Sequence, residues 1–123
     1  MNKEIWISID IIYTECSVEN ILYDANDLTV QLTRHDNGKI LSVKFCNVMS
    51  YRVTLEQFRW ADAGIGGKTT PLYEIRNSNY IEWIMNCGMQ QLYSSSLPLK
   101  HFAIKTTEHV IDVITTERFS ISE

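Results

Sequence analysis

The chain reads as one α+β, mostly β domain over residues 1–123. An antiparallel sheet closing as a barrel or as a two-sheet sandwich is expected, with about seven to eight strands and one short helix at about 79–88. Three observations predict it. The stretch 28–47, LTVQLTRHDNGKILSVKFCN, has two alternating strands around Asn37-Gly38. Most of the other segments alternate with period two rather than 3.6. A helical stripe occurs in only one place, late in the chain.

The hairpin carries the most information. Asn-Gly tolerates the positive φ angles of a type I′ turn, so a two-residue loop at 37–38 is expected, pairing Asp36 with Lys39. That register sets Val30 opposite Phe45, Leu32 opposite Val43 and Arg34 opposite Leu41 on one face. Thr29/Cys46, Gln31/Lys44 and Thr33/Ser42 fall on the other. One face is then apolar and one polar, as a half-buried antiparallel pair requires.

The remaining elements follow in order. Ile5, Ile7, Ile9, Ile11 and Tyr13 alternate with Trp6, Ser8 and Asp10, which predicts a first strand with a buried isoleucine face. A short strand around Val18–Tyr23 leads to a turn at Asp24–Asp27. Met49, Tyr51, Val53 and Leu55 alternate in a fifth strand. Residues 56–71 hold a glycine-rich loop, and Leu72–Arg76 is again a strand. Asn79 and Glu82 have the residue types of a capping box, Ile81, Ile84 and Met85 make a helical stripe, and Gly88 suits the stop. Residues 93–98, YSSSLP, read as a loop. Lys100–Thr106 and His109–Thr116 form a closing hairpin, and the tail Phe119–Glu123 adds at most an edge.

Composition narrows the function classes. The chain is 45% hydrophobic and 21% charged, with a net charge of −4. An acidic chain lacks the basic stripe that nucleic acid requires. Three widely spaced cysteines imply neither a disulfide framework nor a zinc knuckle, so reduced cytosolic thiols are expected. No signal peptide or membrane span is read, and a cytoplasmic location follows. Residues 1–27 hold Glu4, Asp10, Glu15, Glu19, Asp24 and Asp27 against Lys3 alone. Such a cluster steers a basic partner or simply solvates a face.

No catalytic or metal constellation stands out. DAGIGGKT at 62–69 departs from the phosphate-loop pattern at its first glycine, where Asp62 stands, and Pro71 with a strand follows in place of a helix. Lys68 is therefore not expected to bind nucleotide. His35, His101 and His109 lack ligand spacing to one another or to cysteine. Cys87 lies at a helix end that disfavours a thiolate, and reads as a small buried hydrophobe. No metal, no cofactor and no enzymatic activity are expected. Trp60 differs from the other aromatics. With Arg59 and Asp62 at the mouth of the glycine loop, it has the composition of an interface anchor. The expected partner-binding residues are Asp24, Asp27, Arg59, Trp60 and Asp62.

The pieces YDANDLTVQL, LSVKFCNVMSYRV, NSNYIEWIM and LKHFAIKTTEHVIDVIT, in that order, resemble small bacterial immunity proteins of polymorphic-toxin loci and related uncharacterised Bacillus-type proteins. The resemblance implies a cytoplasmic, non-enzymatic protein that binds and blocks a toxin domain. No functional residue transfers with it, because binding surfaces differ between members. Two other readings stay open: a β-barrel binding a small ligand, and an interaction module of a larger assembly.

Overall fold

The computed structural model describes residues 2–59, 70–89 and 98–123. Among the described residues nine strands form two antiparallel sheets that pack as a sandwich. The strands are β1 (Ile5–Ser8), β2 (Cys16–Asp24), β3 (Asp27–Arg34), β4 (Ile40–Phe45), β5 (Val48–Leu55), β6 (Leu72–Arg76), β7 (Lys100–Lys105), β8 (His109–Thr115) and β9 (Ser120–Ser122). A 3₁₀ turn at Glu56–Phe58 follows β5. One short helix, α1 (Asn79–Ile84), continues as a π-turn at Met85–Met89. The five-stranded sheet runs β1-β6-β7-β8-β5 and the four-stranded sheet β2-β3-β4-β9. Among the described residues both sheets have free edges and do not close on themselves, so the barrel alternative does not hold.

The core lies between the sheets because alternation sends one set of side chains from each strand inward. Leu28, Val30 and Leu32 of β3 and Leu41, Val43 and Phe45 of β4 meet Leu72, Phe102, Ile104, Ile111 and Val113 from the larger sheet. Phe45, Phe102 and Phe119 interlock, with ring centroids 5.3–5.9 Å apart. The tail does add an edge strand, β9, on β4.

Several expectations are corrected. The β3–β4 loop is not a two-residue turn at Asn37-Gly38. Arg34 N–H donates to Lys39 C=O and Gly38 N–H to Arg34 C=O, which closes a four-residue loop, 35–38. The register becomes Leu28↔Phe45, Val30↔Val43 and Leu32↔Leu41. Side chains supply the reason. Arg34 holds Asp36 through Nε and Nη2 at 3.0 and 2.8 Å, and Asn37 Oδ1 accepts from Lys39 N–H. A shift of two residues preserves faces, so Val30, Leu32, Val43 and Phe45 are still buried. The tight turn with two positive φ angles occurs at Ala25-Asn26 instead, within the expected Asp24–Asp27 turn.

The first strand also differs. It is only four residues long, and Ile5, Ile7, Ile11 and Tyr13 are exposed while Trp6, on the opposite face of the strand, packs on Tyr73. The four-stranded sheet does not extend far enough to cover the isoleucine face of an edge strand. The helix is capped by Ser78 rather than Asn79: Ser78 Oγ accepts from Ile81 N–H at 3.0 Å. Its buried residues are Tyr80 and Ile84. Cys87 is exposed rather than buried, and Cys16 is the buried cysteine.

Gly38 has φ +69°, and a Cβ there would meet nothing within 4 Å. Backbone strain alone therefore decides its replacement. Gly38→Ala is expected to destabilise by about 1 kcal/mol in urea unfolding, and Gly38→Asn by less, because asparagine tolerates the left-handed region.

Candidate functional site

Alternation along the larger sheet also builds an outer face. Cross-strand register aligns Ser8, Tyr73, Ala103, Asp112 and Arg52 in one row, and Trp6, Ile75, His101, Ile114 and Ser50 in the next. α1 lies on this face, with Tyr80 and Ile84 packed on Ile114. Asp112 and His101 are thereby placed in an interior, although both belong to strands.

Asp112 has a fully buried carboxylate. A buried charge is tolerable only with partners for its lone pairs. Three groups supply them. His101 Nε2 lies 2.7 Å from Oδ1, Arg59 Nη1 donates to Oδ2 at 2.5 Å, and Arg52 Nε donates to Oδ2 at 3.0 Å. Burial pushes the Asp112 carboxyl upward. The hydrogen bonds from His101 and Arg59, with the Arg59 guanidinium charge beside it, outweigh that effect and hold it well below the usual carboxylate range.

The chain of contacts continues. Nε2–H of His101 donates to Asp112, which leaves Nδ1 to the Ser78 hydroxyl at 2.7 Å. Ser78, His101 and Asp112 thus stand in the order of a hydrolase relay. The surroundings oppose that chemistry. Ser78 is buried, its oxygen already accepts the Ile81 amide, and it lines none of three surface grooves formed by described residues. The relay locks the start of α1 onto β7 and β8. Among the described residues no group of histidine, cysteine and carboxylate side chains is arranged to hold a metal ion.

A groove of about 420 Å³ lies beside this cluster, lined by Ser50, Tyr51, Arg52, Tyr80 and Trp83. The Arg52 guanidinium stacks 4.3 Å from the Tyr80 ring centre, and the Tyr80 and Ser50 hydroxyls are 2.5 Å apart. Trp83 is 61% exposed. A second groove, lined by Tyr23 and residues 48–51, shares Ser50 and Tyr51 with the first. There Tyr23 stacks on Tyr51 at 5.4 Å.

Between the two grooves runs the outer edge of β5. Glu56 N–H donates to Glu108 C=O. By antiparallel alternation Thr54 and Arg52 also turn their backbone groups to β8. Tyr51, Val53 and Leu55 turn theirs away, and their side chains are 38%, 43% and 48% exposed. Phe58, in the turn that follows, is exposed as well.

The sequence-predicted residues fall in different places. Asp24 is exposed on the β2–β3 turn, next to Tyr23, and Asp27 pairs with Lys44 at 3.6 Å. Arg59 is not at the surface: it is 8% exposed and engaged by Asp112. Trp60, Asp62 and the glycine loop with Lys68 lie outside the described residues, as do residues 93–97 of the YSSSLP loop. His101 and His109 are not brought together, since His101 pairs with Ile114 and His109 with Leu55. Sequence reasoning missed Asp112, Ser78, Arg52, Tyr80 and Trp83 as a group. One signal was present: an aspartate inside HVIDVIT, a run of β-branched apolar residues, has to be buried and therefore paired. Among the described residues no helix is long and apolar enough to cross a membrane. No protein-family model, no curated protein and no solved structure matches this chain.

Removing the charge tests the cluster. Asp112→Asn leaves guanidinium groups facing a neutral amide and is expected to cost about 3–5 kcal/mol at pH 7 in urea unfolding. The folded-state pKa of Asp112 is depressed. Its contribution is therefore fully present above the unfolded value of about 4, and is lost as pH falls below it. The wild type should lose stability more steeply than Asp112→Asn on acidification below pH ~4.

Proposed function

We propose that this chain is a non-enzymatic binding protein that neutralises a cognate toxin or effector domain in the cytoplasm, and that it takes hold of its partner along the free edge of β5. One observation carries the second part. Among the described residues the sheets have four edge strands, β1, β5, β2 and β9. β1 and β9 are four and three residues long. β2 is interrupted by a bulge at Val18/Asn20 and carries the acids Glu19 and Asp24. These are the ordinary devices that keep sheet edges from pairing. From Ser50 onward β5 is neither short nor bulged, and its one charge, Arg52, is tied back to the buried Asp112. It is regular there, contains neither lysine nor proline, and exposes Tyr51, Val53 and Leu55 on one face.

A long apolar edge of this kind either aggregates or is covered by a partner strand. Exposed tyrosine, arginine and tryptophan on both sides of it have the composition of binding hot spots. Asp24 and Asp27 lie at the Tyr23 end, where they would guide a basic region of the partner. The toxin-neutralising part rests on the resemblance to immunity proteins, with which acidity and the enclosed relay agree.

The domain encoded immediately upstream of this chain's gene provides the test. Co-expression with the chain is expected to relieve its toxicity, and the purified pair to associate. In the complex, the amides of Tyr51, Val53 and Leu55 should gain hydrogen-exchange protection. Val53→Lys, at an exposed position, should weaken association by about tenfold or more while leaving the melting temperature nearly unchanged. A pair that does not associate would overturn the toxin reading. Association with those three amides unprotected would overturn the edge reading.

A further inference from the structure

The geometry points to an acidic extended segment as the occupant of the β5 edge: a partner strand whose carboxylate side chain enters the Arg52–Tyr80–Trp83 groove, flanked by apolar residues on either side. The inference rests on the edge reading above and adds the chemistry of what binds there. Arg52 is the observation behind it. Its Nε is bound to Asp112, and its two Nη groups carry no hydrogen bond to a described residue. Asp112 is shared with His101 and Arg59, so its charge is not reserved for Arg52. The Arg52 side chain is 45% exposed, fixed from behind by Asp112 and from one side by the Tyr80 ring.

A guanidinium held in this way is preorganised, and the two Nη groups match the two oxygens of a carboxylate. Among the described residues no carboxylate lines the groove, whose described wall is Ser50, Tyr51, Arg52, Tyr80 and Trp83. Charge complementarity therefore favours an acidic group. Strand register gives its place. A segment paired along β5 puts every second side chain on the Arg52 face, directly opposite about 5 Å away. Its neighbours in sequence then lie on the face of Tyr51 and Val53. The recognised pattern is apolar–acidic–apolar. A second copy of this chain suits the edge less well. Two-fold pairing centred on Val53 would bring two Arg52 guanidiniums onto one face as diagonal neighbours, where like charges repel.

Two synthetic peptides test this, Lys-Thr-Val-Glu-Val-Thr-Lys and the same peptide with Gln for Glu, titrated against the whole chain by fluorescence anisotropy. The wild type is expected to prefer the Glu peptide by about tenfold or more, the value of a charge-assisted pair. Arg52→Gln should bring the two peptides to within about twofold of each other, while Val53→Lys weakens both. If Arg52→Gln does not fold, a salt series on the wild type decides instead: the preference must shrink as ionic strength rises. Equal binding of both peptides, or a preference that survives Arg52→Gln or high salt, overturns the carboxylate inference and leaves the edge reading standing. Binding of neither peptide, or self-association that competes with them, overturns both.

Discussion

The buried Asp112 carboxylate is the constraint around which the outer half of this structure is arranged. An unpaired carboxylate in an apolar sheet face is untenable, so everything able to donate to it has to be in place at once. Those donors come from separate parts of the chain: Arg52 from β5, Arg59 from just beyond the 3₁₀ turn, His101 from β7. Through His101 the network reaches Ser78, and through Ser78 the first turn of α1. A six-residue helix has little stability of its own. Here it is held by a cap that is itself anchored to a buried charge, and by Tyr80 and Ile84 on Ile114.

The same constraint shapes the surface. Arg52 is pinned by its Nε, and Tyr80 lies against its guanidinium because α1 is fixed where it is. The groove between β5 and α1 is thus a consequence of how the interior charge is satisfied. This explains why a half-exposed arginine beside an exposed tryptophan has a defined geometry. Functional side chains are best placed by rigid elements whose own positions are over-determined.

The two faces of the larger sheet have different purposes. The inner face contributes Leu72, Phe102, Ile104, Ile111 and Val113 to a continuous apolar core. The outer face mixes apolar residues with the Asp112 network, which directs α1 to one location rather than several. β5 sits at the margin of both. Its inner side extends beyond the smaller sheet, so Val53 and Leu55 have strand alternation without cover and Tyr51 meets only the Tyr23 ring at its margin. Binding along that edge would complete what the fold leaves open.

Much of the fold was legible in the sequence, because period-two alternation is a local property. Strands β2 to β8, the single late helix and the inward faces of Val30, Leu32, Val43 and Phe45 follow from it. Register was not legible. Arg34 clasping Asp36 selects a four-residue loop over the turn that Asn37-Gly38 suggests, and side-chain contacts of that kind carry no periodic signal. Nor was it visible that Ile5 and Ile7 would be exposed, since cover depends on how far the opposite sheet extends. The site was least legible. Asp112 announced only that it needed partners. Which partners reach it is decided by cross-strand register and by where the turn after β5 ends, and those bring residues 52, 59, 78, 101 and 112 together. Sequence alone determined which side chains are apolar and which alternate. Tertiary structure decided which of them are covered, because burial belongs to pairs of surfaces and not to a single strand.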